Sequence, residues 1–171
     1  MTFPFASFRR SYAAVVAFLD TLTANNAGNN GSFRTVTPAI TARGTQCRVT
    51  FKAGTSGAFN INHCSVGKSA GSGNTTTTPV ELKFNGVSGF SLAASATITS
   101  DWVQLPDTVT TADSLVVVMD CGATGNAGYN ASSAAGGYFR SAFASYANSS
   151  AAGFSFTANN NNGVLSVEVR L

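Results

Sequence analysis

The sequence predicts an all-β protein, an antiparallel β-sandwich of jelly-roll-like form with a short N-terminal helix or arm. Three observations predict it: short runs in which apolar and polar residues alternate, turn residues that bound each run, and a surface made polar without charge. Charged residues make up only 10% of the chain, against roughly 25% in an average soluble domain. Ser, Thr, Asn and Gly fill their place, as in Thr75 to Pro79, Asn148 to Gly153 and Asn159 to Gly163. Thirteen Phe, four Tyr and Trp102 supply burial that a disordered chain lacks. At 171 residues the length suits one domain with short attachments.

The first element expected is a helix. From Ser7, a residue suited to capping the first turn, Phe8, Tyr12, Val15, Val16, Leu19 and Leu22 fall at intervals of three and four. A strand competes over the compact run Val15 to Leu19. The Asn and Gly of Ala24 to Ser32 read as a flexible connection. Residues 1–32 are therefore expected to form an arm or helix with its linker, and residues 33–171 the sandwich.

From there the period becomes two. Cys47, Val49 and Phe51 share one face against Arg48, Thr50 and Lys52. Val80, Leu82 and Phe84 alternate with Glu81 and Lys83, and Leu165, Val167, Val169 and Leu171 with Ser166, Glu168 and Arg170. Further strands are expected at Phe59 to Val66, Phe90 to Leu92, Thr97 to Leu105, Ser114 to Met119, Tyr138 to Phe143 and Gly153 to Thr157. Leu115 to Met119 is apolar on both faces, which marks a strand covered on both sides. About eight to ten such strands without intervening helices indicate a sandwich or jelly roll.

Charge and cysteine content narrow the function classes. The net charge of +3 comes from scattered basic residues, with only Arg9 and Arg10 adjacent, so no basic stripe predicts nucleic-acid binding. The apolar run Tyr12 to Leu19 is far short of the roughly 20 residues of a membrane span. Phe3, Pro4 and Phe5 precede the Arg pair, an order unlike a secretory signal, and synthesis in the cytoplasm is expected. Cys47, Cys64 and Cys121 lack metal-type spacing and read as small buried residues, with an intermolecular bridge as the alternative.

Catalytic constellations are thin. His63 is the only histidine, and its neighbour Cys64 points to the opposite face of a strand. Asp101, Asp107, Asp113, Asp120, Glu81 and Glu168 occupy turn, strand-start or solvent-facing positions rather than paired ones. Asp120 to Gly128 is glycine-rich but lacks the Lys and Ser or Thr of a phosphate loop, and it reads as a loop at the sandwich edge. No spaced acidic loop predicts calcium, and neither a cofactor nor a metal is expected. The sequons at Asn30, Asn74, Asn130 and Asn148 read as products of an Asn/Ser/Thr-rich composition. The aromatic and amide residues are more informative, because sugar sites pair an aromatic face with amide hydrogen bonds. Tyr129, Asn126, Asn130 and Trp102 are the expected glycan contacts, with residues 122–137 as a contact loop. For Trp102, core packing is the competing reading.

Cys47 to Gly54, Phe59-Asn60-Ile61, Ser65-Val66-Gly67, Thr78-Pro79-Val80 before the Asn85-Gly86 turn, and Thr99 to Trp102 follow an order that resembles β-sandwich modules of phage tail and tail-fibre proteins. The same order is similar to the accessory sandwich of some GDSL-type esterases. The resemblance covers roughly residues 43–120 and the closing strand Val164 to Leu171. The Gly-Asp-Ser-Leu segment and Asp-x-x-His pair of those esterases do not occur here, so the resemblance implies the accessory module without hydrolase activity. It implies a non-enzymatic structural component of a phage virion, either a tail-fibre or adhesin domain or a decoration protein. Its expected partners are other virion proteins, further copies of itself and a host-surface glycan. Phe8, Tyr12, Val15 and Leu19 are the expected assembly residues. A stand-alone carbohydrate-binding sandwich is the alternative.

Overall fold

A computed structural model describes residues 12–142 and 145–171. Its described residues form strands and turns, with no helix. In chain order the strands are β1 (Val15–Leu19), β2 (Ala24–Val36), β3 (Gly44–Lys52) and β4 (Phe59–Gly71). Short strands follow: β5 (Asn74–Thr75), β6 (Val80–Glu81), β7 (Lys83–Phe84), β8 (Val87–Ser88), β9 (Phe90–Leu92) and β10 (Thr97–Thr99). The chain closes with β11 (Val103–Val109), β12 (Leu115–Asn130), β13 (Gly136–Arg140), β14 (Ser155–Ala158), β15 (Asn161–Asn162) and β16 (Val164–Arg170).

Two antiparallel sheets carry the fold. A five-stranded sheet runs β1-β16-β3-β10, with β11 also on β3. A nine-stranded sheet runs β14-β13-β2-β12-β4-β5, with β15 on β12 and both β6 and β9 on β4. A two-stranded ribbon, β7-β8, turns at Asn85-Gly86, where Asp101 accepts both backbone amides at 3.2 and 2.8 Å. The buried core takes Cys47, Val49 and Phe51 from β3, and Leu115, Val117 and Met119 from β12. The alternation expected in β3 therefore holds.

The expected N-terminal helix is not present in the described residues. Val15–Leu19 is a strand on the edge of β16, pairing Val15 with Val169 and Leu19 with Ser166. A bulge between Val16 and Phe18 puts Ala17 and Phe18 inward and leaves Val15, Val16 and Leu19 exposed, which mimics a helical spacing. Two adjacent valines favour the strand, and β16 offers the backbone partner. Ser7 and Phe8 lie outside the described residues.

The expected linker Ala24 to Ser32 is also a strand, and the expected boundary at residue 32 falls inside β2. Its partner is the second half of β12, equally rich in Gly, Ala and Asn, so the supposed contact loop at 122–137 is strand as far as Asn130. The physical reason is a close approach of the two sheets. Ala53 bridges Ala127, the Gly54 amide donates to the Asn126 carbonyl, and the Gly163 amide donates to the Gly128 carbonyl. Where main chains of different sheets hydrogen-bond, side chains must be small.

The outer face of the nine-stranded sheet is crossed by Ser145–Phe154. Arg34 of β2, fully buried, donates to the carbonyls of Gly73, Asn148 and Ser150 at 2.7, 2.6 and 2.8 Å. Asp120 accepts the Ser145 and Tyr146 amides and the Ser32 hydroxyl. This covering explains why Leu115–Met119 is buried on both faces. Asp107 also departs from expectation, lying within β11 rather than in a turn and accepting the Thr76 hydroxyl.

Candidate functional site

A cleft of about 280 Å³ opens at the end of the nine-stranded sheet where β2, β13, β14 and β15 meet. Its floor is a pair of rings, Phe33 and Phe139, with centroids 4.9 Å apart and planes tilted by 41°. Asn26, Asn30, Asn160 and Asn162 line it together with Thr157. None of its lining residues is ionisable.

Local backbone features build this rim. In β2 the pairing to β12 slips between Asn29 and Asn26, so Ala27 and Gly28 form a bulge toward the cleft, with Gly28 at φ +74°. Bulges re-aim side chains in this way. On the other wall, the run Asn159 to Gly163 is a small scaffold. Asn161 turns inward and donates to Asp20 at 2.7 Å and to the Val164 carbonyl at 2.6 Å. Its neighbours Asn160 and Asn162 face the cleft, where Asn162 accepts from the Asn26 amide and Asn160 donates to the Thr157 hydroxyl at 3.3 Å. Gly137 makes room for Asn160: a Cβ there would stand 1.8 Å from Asn160 Oδ1.

Asp20 holds this end together. It accepts from Asn130, Ser133, Asn161 and the Thr21 amide. Burial pushes its carboxyl up, but the four hydrogen bonds outweigh burial and hold it below the usual aspartate range.

The expected glycan residues are not brought together. Trp102 belongs to neither the core nor an open platform. Its ring lies against two guanidiniums on the five-stranded sheet, 4.8 Å from Arg48 and 4.1 Å from Arg170. Arg48 in turn pairs with Glu168 at 2.8 Å. Tyr129 is a half-buried strand residue opposite Ala24 and Asn162. Asn130 is bound to Asp20, and Asn126 packs against Gly57 with its Oδ1 buried. The cleft instead uses Asn residues from segments read as linker or polar filler, with Phe33 from the start of the expected sandwich and Phe139 from the expected strand Tyr138 to Phe143. Dense amides without charge, flanking Phe33 and Phe139, were the available signal.

Tyr12, Val15 and Leu19, the expected assembly residues, lie in or just before β1. With Val16 and Leu171 they form an apolar border around β1, each between 41% and 69% exposed. Among the described residues, the other large exposed apolar side chains are Val87 and Phe156. The Ala17 carbonyl accepts from the Thr41 amide at 3.1 Å, and the Val16 carbonyl from the Thr41 hydroxyl at 3.3 Å.

His63 is a half-buried strand residue. It pairs with Glu81 at 2.9 Å and stacks on Tyr146 with centroids 4.3 Å apart. Ser88 donates to the same Glu81 oxygen, so serine and histidine share a carboxylate rather than bonding each other. The His63 hydrogen bond is the chief cause that holds Glu81 below the usual glutamate range. Among the described residues no helix is long and apolar enough to cross a membrane. No protein-family model matches the chain, and no curated protein matches it.

Proposed function

We propose that this chain is a non-enzymatic assembly module, a jelly-roll-like β-sandwich of the phage tail-fibre or decoration type, that joins further copies of itself in a virion. The observation that carries this reading is the apolar border around β1. Five of the seven large exposed apolar side chains among the described residues gather there: Tyr12, Val15, Val16, Leu19 and Leu171. Exposed apolar side chains gathered along one strand are a cost in water that a contacting subunit removes. The occupant is a second copy, meeting the border through the same patch about a two-fold axis. Thr41 already engages the Val16 and Ala17 carbonyls, so the contact forms through side chains rather than by adding a strand. The His63, Glu81 and Ser88 arrangement fits a structural role, since neither partner activates the other as a nucleophile.

The experiment is the mass of the full chain in solution by light scattering. The native chain is expected to form a discrete oligomer at micromolar concentration. The double substitution Val16→Lys and Leu19→Lys, at exposed positions, is expected to give a folded monomer. A native chain that stays monomeric, or an oligomer indifferent to both lysines, overturns the reading.

A further inference from the structure

We propose that the amide-rimmed cleft between β2 and β13–β15 binds a single uncharged hexopyranose residue. This goes beyond the assembly reading and stands without it. The cleft's volume, about 280 Å³, lies just below the roughly 300–1,000 Å³ typical of drug-sized ligand sites. It accommodates one sugar ring rather than a chain of them.

The lining chemistry selects the class. A pyranose has one face of C–H groups and a rim of hydroxyls, each both donor and acceptor. Phe139 and Phe33 provide the apolar floor, and Asn26, Asn30, Asn162 and Thr157 surround it with groups that donate and accept. No lining residue carries charge, so nothing there compensates the desolvation of a carboxylate or phosphate. Anionic sugars and nucleotides are disfavoured for that reason.

The rim is also organised in advance. Asn26 bonds Asn162, Asn160 bonds Thr157, and Asn161 ties the intervening backbone to Asp20. Side chains already held in place lose less entropy when a ligand arrives. The sites expected from the sequence lack this arrangement, since Trp102 is taken by two arginines and Asn130 by Asp20.

The test is titration of the isotope-labelled full chain with the methyl glycosides of glucose, galactose, mannose and N-acetylglucosamine. Glucuronic acid and N-acetylneuraminic acid are the charged comparators. At least one neutral glycoside is expected to shift the side-chain amide signals of Asn26, Asn30 and Asn162 saturably, at millimolar concentration or below. The charged sugars are expected to bind about tenfold or more weakly. Asn30→Ala, at an exposed rim position, is expected to weaken binding by up to about tenfold, the loss of one neutral hydrogen bond. Thr157→Val, also exposed, serves as a second variant if Asn30→Ala alters the fold. Absence of any saturable shift, equal binding of the charged sugars, or shifts centred on Trp102 or Phe156 overturns the proposal. The Val16→Lys and Leu19→Lys chain is expected to keep sugar binding, which separates this outcome from that of the assembly test.

Discussion

Gly163 illustrates how single residues govern the end of the molecule that holds the cleft. It turns the chain from β15 into β16 at φ +76°, and a Cβ there would meet the Phe59 ring at 2.7 Å. Gly163→Ala combines a disfavoured backbone conformation with overpacking and is expected to cost about 1–3 kcal/mol in urea unfolding. Asp20 makes a different prediction. Its carboxyl is held below the ordinary value of 3.8 when folded, so the unfolded chain takes up a proton first as pH falls. The stabilisation is therefore complete above the unfolded value and is lost as pH falls through the folded one. Thermal melts from about pH 6 to about pH 2 are expected to show the native chain's advantage over Asp20→Asn shrinking below about pH 4. An advantage that persists unchanged at the acid end would remove Asp20 from this role.

Elements depend on polar anchors as much as on apolar faces. Ser145–Phe154 has no regular pairing of its own on the outer face it crosses. Instead Arg34 reaches out of β2 and collects its carbonyls, while Asp120 collects its amides. Burial and the nearby Arg140 draw the Arg34 guanidinium down to about 10, still protonated at neutral pH. Arg34→Met fills similar space without donors and leaves the Gly73, Asn148 and Ser150 carbonyls without this partner. The expected loss is about 3 kcal/mol or more. Limited proteolysis should then cut first within Ser145–Phe154; cleavage elsewhere would show that Arg34 does not secure this segment. A strand and its covering segment are thus one unit, which neither stretch of sequence announces alone.

Across the whole molecule, the two sheets share one core, and its three cysteines report on it. Cys47, Cys64 and Cys121 are buried free thiols. Burial pushes Cys47 and Cys121 up to about 12 and Cys64 well above its ordinary value, so each is protonated and shielded at neutral pH. Labelling by a thiol reagent is expected to proceed only through unfolding, with all three reacting at one rate that rises with urea. Fast labelling of one cysteine in the native state would identify a local opening that the packing does not suggest. The burial also argues against a bridge between intact subunits.

The sequence by itself determined the all-β class and most of the strands. β3, β9 and the start of β12 follow from alternation or apolar continuity, because a half-buried or buried strand must place its apolar residues at fixed intervals. It also singled out Tyr12, Val15 and Leu19, but on a helical spacing whose place the strand β1 takes. It did not reveal β2 or the second half of β12, whose Gly, Ala and Asn carry no periodic signal. Those strands are held by backbone hydrogen bonds to distant segments, and their small residues answer to the convergence of two sheets. The helix expected before residue 22 failed for a related reason, because a bulge at Ala17 imitates helical spacing. The cleft belongs wholly to the tertiary structure. Asn26 and Phe33 on β2 lie more than a hundred residues from Phe139 and Asn162, and only strand pairing and the Asp20 anchor bring their side chains to one place.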